Sequence, residues 1–123
     1  MEEIKVGYFI RTNKGIIGKL KRIELDEIDK NLKWYVFDKK RPDMNIIDEI
    51  YINKPYITKY SKNKIDLIEV GDIVHIKDVL HEDITYIWSE DYLKALKEDL
   101  SNGIKLVEIL THEQFEQNCY KLN

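Results

Sequence analysis

Four side chains dominate a search for metal or nucleophilic chemistry: His75, His81, His112 and Cys119, with Asp78, Glu82 and Asp83 close to the first two. A structural zinc site brings its ligands in close pairs, such as two cysteines separated by two residues, because one short loop then wraps a tetrahedral ion. No such pair occurs here. His112-Glu113 begins like a zinc-protease helix, but the position four residues after the histidine is Glu116 rather than a second histidine. Cys119 stands close to the last residue of the sequence, where the rigid support that a cysteine–histidine nucleophile needs is hard to supply. The pairs Glu82-Asp83, Glu90-Asp91 and Glu98-Asp99 read as helix first-turn or solvent-facing charges, whereas acid–base work requires one carboxylate in an apolar pocket. Gly15-Ile16-Ile17-Gly18-Lys19 lacks the spacing of a phosphate-binding loop and leads into a strand rather than a helix. These residues predict no catalytic group, no metal and no cofactor. The expectation is a protein that is not an enzyme.

Charge offers a second kind of chemistry. The net charge of −3 conceals a division, because residues 1–65 carry 15 Lys/Arg against 10 Asp/Glu while residues 66–123 carry 5 against 13. An asymmetry of this size points to interaction surfaces, basic towards nucleic acid and acidic towards a basic partner. In the basic half, Lys19, Lys21, Arg22, Lys39, Lys40, Arg41 and Lys59 are interleaved with Tyr56 and Tyr60. Cations beside aromatic rings can hold a single strand by stacking its bases along a positive groove. Only Arg11, Arg22 and Arg41 bring guanidinium groups suited to two-point phosphate or base contacts. In the acidic half, Glu82, Asp83, Glu90, Asp91, Glu98 and Asp99 surround only Lys94 and Lys97. That surface suits a nucleic-acid-handling protein as partner, since it presents negative charge where DNA or RNA would otherwise bind. Contact between the basic and acidic halves of two copies would also give a homodimer.

The elements that must carry these residues are mostly strands. Ile4 to Thr12 is β-branched and aromatic, and Asn13-Lys14-Gly15 turns it back into a strand from Ile16 to about Ile28, in which Gly18 marks a bend or close approach. Leu32 to Phe37 reads as a third strand, apolar on both faces, followed by a basic loop Lys39-Lys40-Arg41-Pro42-Asp43. Ile46 to Ile52 and Tyr56 to Tyr60 complete a β-rich half whose short, bent strands suggest a small barrel. Ile68 to Ile76 can be laid on Ile4 to Thr12 with Ile, Val and Gly coinciding, three identities in nine that suggest a related β-module or a chance likeness. Ser89 caps a helix over about 90–102, its stripe made by Tyr92/Leu93, Leu96 and Leu100 and its end set by Gly103. Ile104 to Leu110 is a strand, and Thr111 with Gln114 has the spacing that starts a short closing helix.

The fold class expected is α+β, dominated by antiparallel barrel-like strands, with one amphipathic helix and a short C-terminal helix. Residues 1–65 form a basic half and 66–123 an acidic one, packed as one compact unit. Of 123 residues, 43% are apolar and none of the runs is long enough to span a membrane. A single cysteine and the acidic opening Met1-Glu2-Glu3-Ile4 fit a reducing, cytoplasmic setting without a secretory signal. Isoleucine (19), lysine (17) and asparagine (8) are abundant and alanine occurs once, the bias of a low-GC genome.

Three blocks carry a resemblance: Lys5-Val6-Gly7-Tyr8-Phe9-Ile10-Arg11-Thr12-Asn13-Lys14-Gly15-Ile16-Ile17-Gly18-Lys19, the stretch from Tyr60 to Val74, and Ile109-Leu110-Thr111-His112-Glu113-Gln114-Phe115-Glu116. Together they resemble small phage- and prophage-encoded proteins of low-GC Gram-positive bacteria, which look like SH3-like β-barrel proteins with a trailing strand and helix. The resemblance supplies no activity, cofactor or catalytic residue. It implies a bacterial cytoplasm as the place of action. Genes of that kind often encode proteins that disable a host factor, so it also implies a stoichiometric inhibitor of a host antiviral-defence protein, similar to an anti-CRISPR protein. The alternative is an SH3-like nucleic-acid-binding accessory protein. Lys77 to Leu100 matches the family least and is the natural seat of a specific function.

Overall fold

The computed structural model describes residues 3–41 and 46–119, without the side chains of residues 40, 41, 46 and 117–119. The chain divides into two units, residues 1–63 and 64–123. In the first, strands β1 (Phe9–Thr12), β2 (Ile17–Leu25), β3 (Lys33–Arg41), β4 (Ile46–Ile52) and β5 (Ile57–Ser61) form one antiparallel sheet in the order β4-β3-β2-β1-β5. In the second, β6 (Ile73–Lys77), β7 (Glu82–Tyr86) and β8 (Lys105–Leu110) form an antiparallel sheet in the order β7-β6-β8, with helices α1 (Glu90–Ser101) and α2 (His112–Cys119). The α+β class and the antiparallel strands are as expected from the sequence. A closed barrel is not: among the described residues no ladder joins β4 to β5, so the first sheet keeps two edges. No helix of the described residues is long and apolar enough to cross a membrane.

Each unit begins with the same device. In Lys5-Val6-Gly7-Tyr8, Gly7 has φ +97° and the Tyr8 N–H donates to the Lys5 carbonyl; in Glu69-Val70-Gly71-Asp72, Gly71 has φ +98° and the Asp72 N–H donates to the Glu69 carbonyl. A side chain at either glycine would strain the left-handed backbone of the turn. Each turn is then pinned to a distant residue by a reciprocal pair of bonds. Gly7 N–H donates to Leu20 O while Leu20 N–H donates to Tyr8 O; Gly71 N–H donates to Ile87 O while Ile87 N–H donates to Asp72 O. The strands therefore start only at Phe9 and Ile73, later than the alternation of apolar residues implied.

The first core gathers Ile4, Ile10, Leu20, Tyr35 and Phe37, all nearly or fully buried. Gly18 pairs with Ile10 across β1 and β2, and a Cβ built on it would stand 2.1 Å from Cδ2 of Phe37. The residue is a glycine because the buried phenyl ring occupies the space of a side chain. The hairpin between β1 and β2 is closed by Thr12, whose hydroxyl accepts from the N–H groups of Lys14 and Ile16, with Gly15 at φ +78°. Asp26 shapes the β2–β3 turn, accepting from the N–H groups of Ile28 and Asp29 and from Nε1 of Trp34. Those donors hold its carboxyl below the usual range, the Asp29 N–H most strongly. Lys39, Lys40 and Arg41 belong to β3, not to a loop, because β4 pairs with them from Asp48 to Ile46; residues 42–45 lie outside the described residues.

The second core packs Ile68, Val74 and Ile87 against Leu93, Leu96 and Leu100 of α1. The helix is set as its sequence dictates. The Ser89 hydroxyl accepts from the Tyr92 N–H at 3.1 Å, and beyond the last turn Gly103 takes φ +116°. Full burial of each leucine contributes about 1.5–3 kcal/mol, which makes this stripe, rather than helix propensity, the reason that α1 forms. Strand β7 is not marked by the sequence pattern: Glu82 and Asp83 are solvent-facing charges as expected, but they open a strand rather than a helix.

Candidate functional site

Two cations of the first unit, Lys21 and Arg22, are committed to neighbouring carboxylates. Arg22 donates through Nη1 and Nη2 to both carboxylate oxygens of Glu49, through Nε to Glu24 at 2.6 Å and through Nη2 to the Tyr51 hydroxyl, with its guanidinium 5.8 Å from the Tyr51 ring centre. Lys21 bridges Glu49 at 2.6 Å and Asp38 at 3.2 Å. Bonds from Arg22 first, then Lys21, hold the Glu49 carboxyl far below its ordinary range, and the same bonds raise both bases. Two-point pairing of a guanidinium with a carboxylate uses the donors that a phosphate would need. Arg11 is fully buried. Lys19 lies 5.9 Å from the centre of the Phe9 ring, and Tyr60 stacks on Tyr8 at 6.4 Å, half-buried against the core. Tyr56 is exposed, while the side chains of Lys40 and Arg41 are outside the described set. Of the nine residues expected to make a nucleic-acid groove, Lys21 and Arg22 are thus neutralised within the sheet.

The six acidic residues expected to form a partner surface, Glu82, Asp83, Glu90, Asp91, Glu98 and Asp99, are all exposed but sit on two elements. Glu82 and Asp83 open β7; Glu90 and Asp91 form the first turn of α1; Glu98 and Asp99 lie eight residues, about 12 Å, further along that helix. Glu82, opposite Lys77 in the ladder, reaches diagonally to His75, Oε1 to Nε2 2.5 Å. Lys94 and Lys97 join Glu90 and Glu98 around a 520 Å³ groove on α1, so charges of both signs line it.

The outer face of the β7-β6-β8 sheet was not anticipated. Side chains alternate across a strand, and Val74 and Ile76 point to the core that α1 covers, so Ile73, His75 and Lys77 point the other way. Their cross-strand partners are Tyr86, Ile84 and Glu82 on β7, and Leu110, Glu108 and Lys105 on β8. Ile84 is 73% exposed, Tyr86 56% and Leu110 40%. Trp88, 68% exposed, continues from the end of β7 and stacks on Tyr92, 6.0 Å between ring centres. The signal was present in Ile84-Thr85-Tyr86-Ile87-Trp88, an apolar run with every second residue left out of the core.

A third cluster joins parts of the second unit that are distant in sequence. His112 Nε2 lies 3.2 Å from Glu69 Oε1 and 3.0 Å from Glu113 Oε1, and one donor atom from each of the three residues fits within 4.8 Å. Beneath them the fully buried Asp72 carboxylate accepts from the Glu69 N–H at 2.8 Å and the His112 N–H at 2.9 Å. Gly71 lets His112 pack close, since a Cβ there would stand 3.3 Å from the histidine Cβ. Local spacing had singled out His112 and Glu113. It gave no hint of Glu69, 43 residues earlier.

Comparison with protein-family models, with curated proteins and with solved structures finds no match.

Proposed function

We propose that this chain is a non-enzymatic binding protein of phage origin that inhibits a host antiviral-defence protein by stoichiometric contact in the bacterial cytoplasm, in the manner of an anti-CRISPR protein. The observation that carries the reading is the exposed Ile84, Tyr86, Trp88 and Leu110 on a unit that also bears Glu82, Asp83, Glu90 and Asp91. Exposed aromatic and aliphatic groups beside polar, charged ones have the composition of a protein interface, apolar at its centre and polar at its rim. Complementarity commits the occupant: a basic, nucleic-acid-handling protein, steered by the acidic groups and held by the apolar ones. The sequence resemblance to small phage and prophage proteins supports the same class. For the first unit we propose an SH3-like fold, on the strength of the strand order β4-β3-β2-β1-β5 and the 3-10 turn Lys54–Tyr56 between β4 and β5.

The test is phage plaquing on bacteria that carry an active CRISPR effector, with and without this chain, followed by titration of the purified effector's DNA cleavage. Plaquing should be restored, and inhibition should be complete at one chain per effector. Reversing Glu90, Asp91, Glu98 and Asp99 to lysine should weaken inhibition by at least about 100-fold, since like charges facing each other cost several kcal/mol, while the fold is retained. Protection that persists across a panel of effectors, together with DNA or RNA binding that falls steeply with salt, would replace this reading by that of a nucleic-acid-binding accessory protein.

A further inference from the structure

We propose that Glu69, His112 and Glu113 form a binding site for one first-row divalent transition-metal ion, with zinc preferred over manganese. The proposal goes beyond the inhibitor reading and does not depend on it. One imidazole nitrogen and two carboxylate oxygens are the ligand types that such ions accept. Their spacing fits as well. Donor atoms about 2.1 Å from one ion lie about 3.0 Å apart at right angles and about 3.4 Å apart at the tetrahedral angle. The observed separations from His112 Nε2 are 3.0 Å and 3.2 Å. Nε2 faces both carboxylates, so an ion bound between them would take the place of these direct contacts.

The site is held by more than its three side chains. Asp72, without solvent contact, binds the backbone N–H of Glu69 with one oxygen and that of His112 with the other. A single carboxylate thus fixes the relative position of two ligand-bearing segments that are 40 residues or more apart. Supporting hydrogen bonds of this kind orient the residues that touch an ion and raise its affinity. The turn glycine Gly71 adds the close packing under His112. The ligand side chains are between 18% and 32% exposed, buried enough to be ordered and open enough to admit an ion from solvent. Three protein ligands leave a coordination position for water or for a donor from a partner.

The experiment uses the full, metal-free chain titrated with Co²⁺, read by absorption, and then with Zn²⁺. One Co²⁺ per chain should bind and be displaced by Zn²⁺, with Mn²⁺ weaker, as the general affinity order requires. Glu69→Gln and His112→Ala should each weaken binding by more than about 100-fold, beyond what the loss of a supporting residue brings. His75→Ala and His81→Ala, which remove the other two histidines, should leave it unchanged. Because a variant of the site can also disturb the fold, amide NMR spectra of the unaltered chain with substoichiometric Co²⁺ supply a second readout. The signals of residues 69–72 and 111–113 should be perturbed first. Absence of saturable one-to-one binding, equal affinity in the Glu69 and His112 variants, or perturbation centred on His75 and Glu82 would each overturn the assignment.

Discussion

Asp72→Ala is expected to destabilise the second unit by about 2–5 kcal/mol, the largest effect of any single substitution considered for that unit. The fully buried carboxylate accepts two backbone N–H groups, from Glu69 and His112. A buried donor stripped of its partner costs about 1–3 kcal/mol, and here two are stripped at once. That loss is a large share of the 5–15 kcal/mol typical of a whole domain. Asp72→Asn keeps one oxygen and turns an amide towards the second N–H, so about half the loss is expected. Urea unfolding of the three proteins checks the account. Equal midpoints for the alanine and asparagine variants would show that the two bonds are not the source of the stability.

Gly18→Ala should cost the first unit about 3 kcal/mol, the upper part of the range for overpacking a filled core. The new methyl would stand 2.1 Å from Cδ2 of Phe37 and 2.9 Å from Cγ and Cε2. The ring cannot withdraw, since Phe37 is fully buried between Ile10, Leu20 and Tyr35. The cost is steric and therefore conditional on the ring. In the Gly18→Ala background, Phe37→Leu should be far less damaging than in the unaltered protein, a coupling that a double-mutant cycle measures directly. A loss below about 1 kcal/mol for Gly18→Ala would mean that the sheet yields more readily than a close-packed core does.

Features governed by neighbouring residues were legible in the sequence. Ser89, the leucine stripe and Gly103 bound α1 within a residue or so, and Asn13-Lys14-Gly15 marks the first hairpin. The parallel between Ile4-Lys5-Val6-Gly7 and Ile68-Glu69-Val70-Gly71 proved to be a shared turn with nearly equal glycine φ angles. Features governed by strand neighbours were not legible. β7 reads poorly because Glu82, Ile84 and Tyr86 all face outward, so its alternation is not one of polar against apolar. Lys39 to Arg41 looked like a loop because only pairing with β4 makes a basic stretch a strand. The same holds for the charges. Lys21 and Arg22 read as cations available to a ligand until Asp38, Glu24 and Glu49 are brought across the sheet to meet them. Glu69 could join His112 only through the turn that Asp72 anchors.

The chain's two tryptophans fall one to each unit, and their surroundings differ. Trp34 donates its indole N–H to the Asp26 carboxylate in the β2–β3 turn, whereas Trp88 is mostly exposed and stacked on Tyr92. Each unit thereby carries its own intrinsic fluorophore. With Trp88→Phe the remaining emission reports the unit that holds Gly18, and with Trp34→Phe it reports the unit that holds Asp72. Whether the halves melt together or in sequence becomes readable from two single-wavelength curves, and quenching of Trp88 by an arriving partner becomes an optical record of binding at that face.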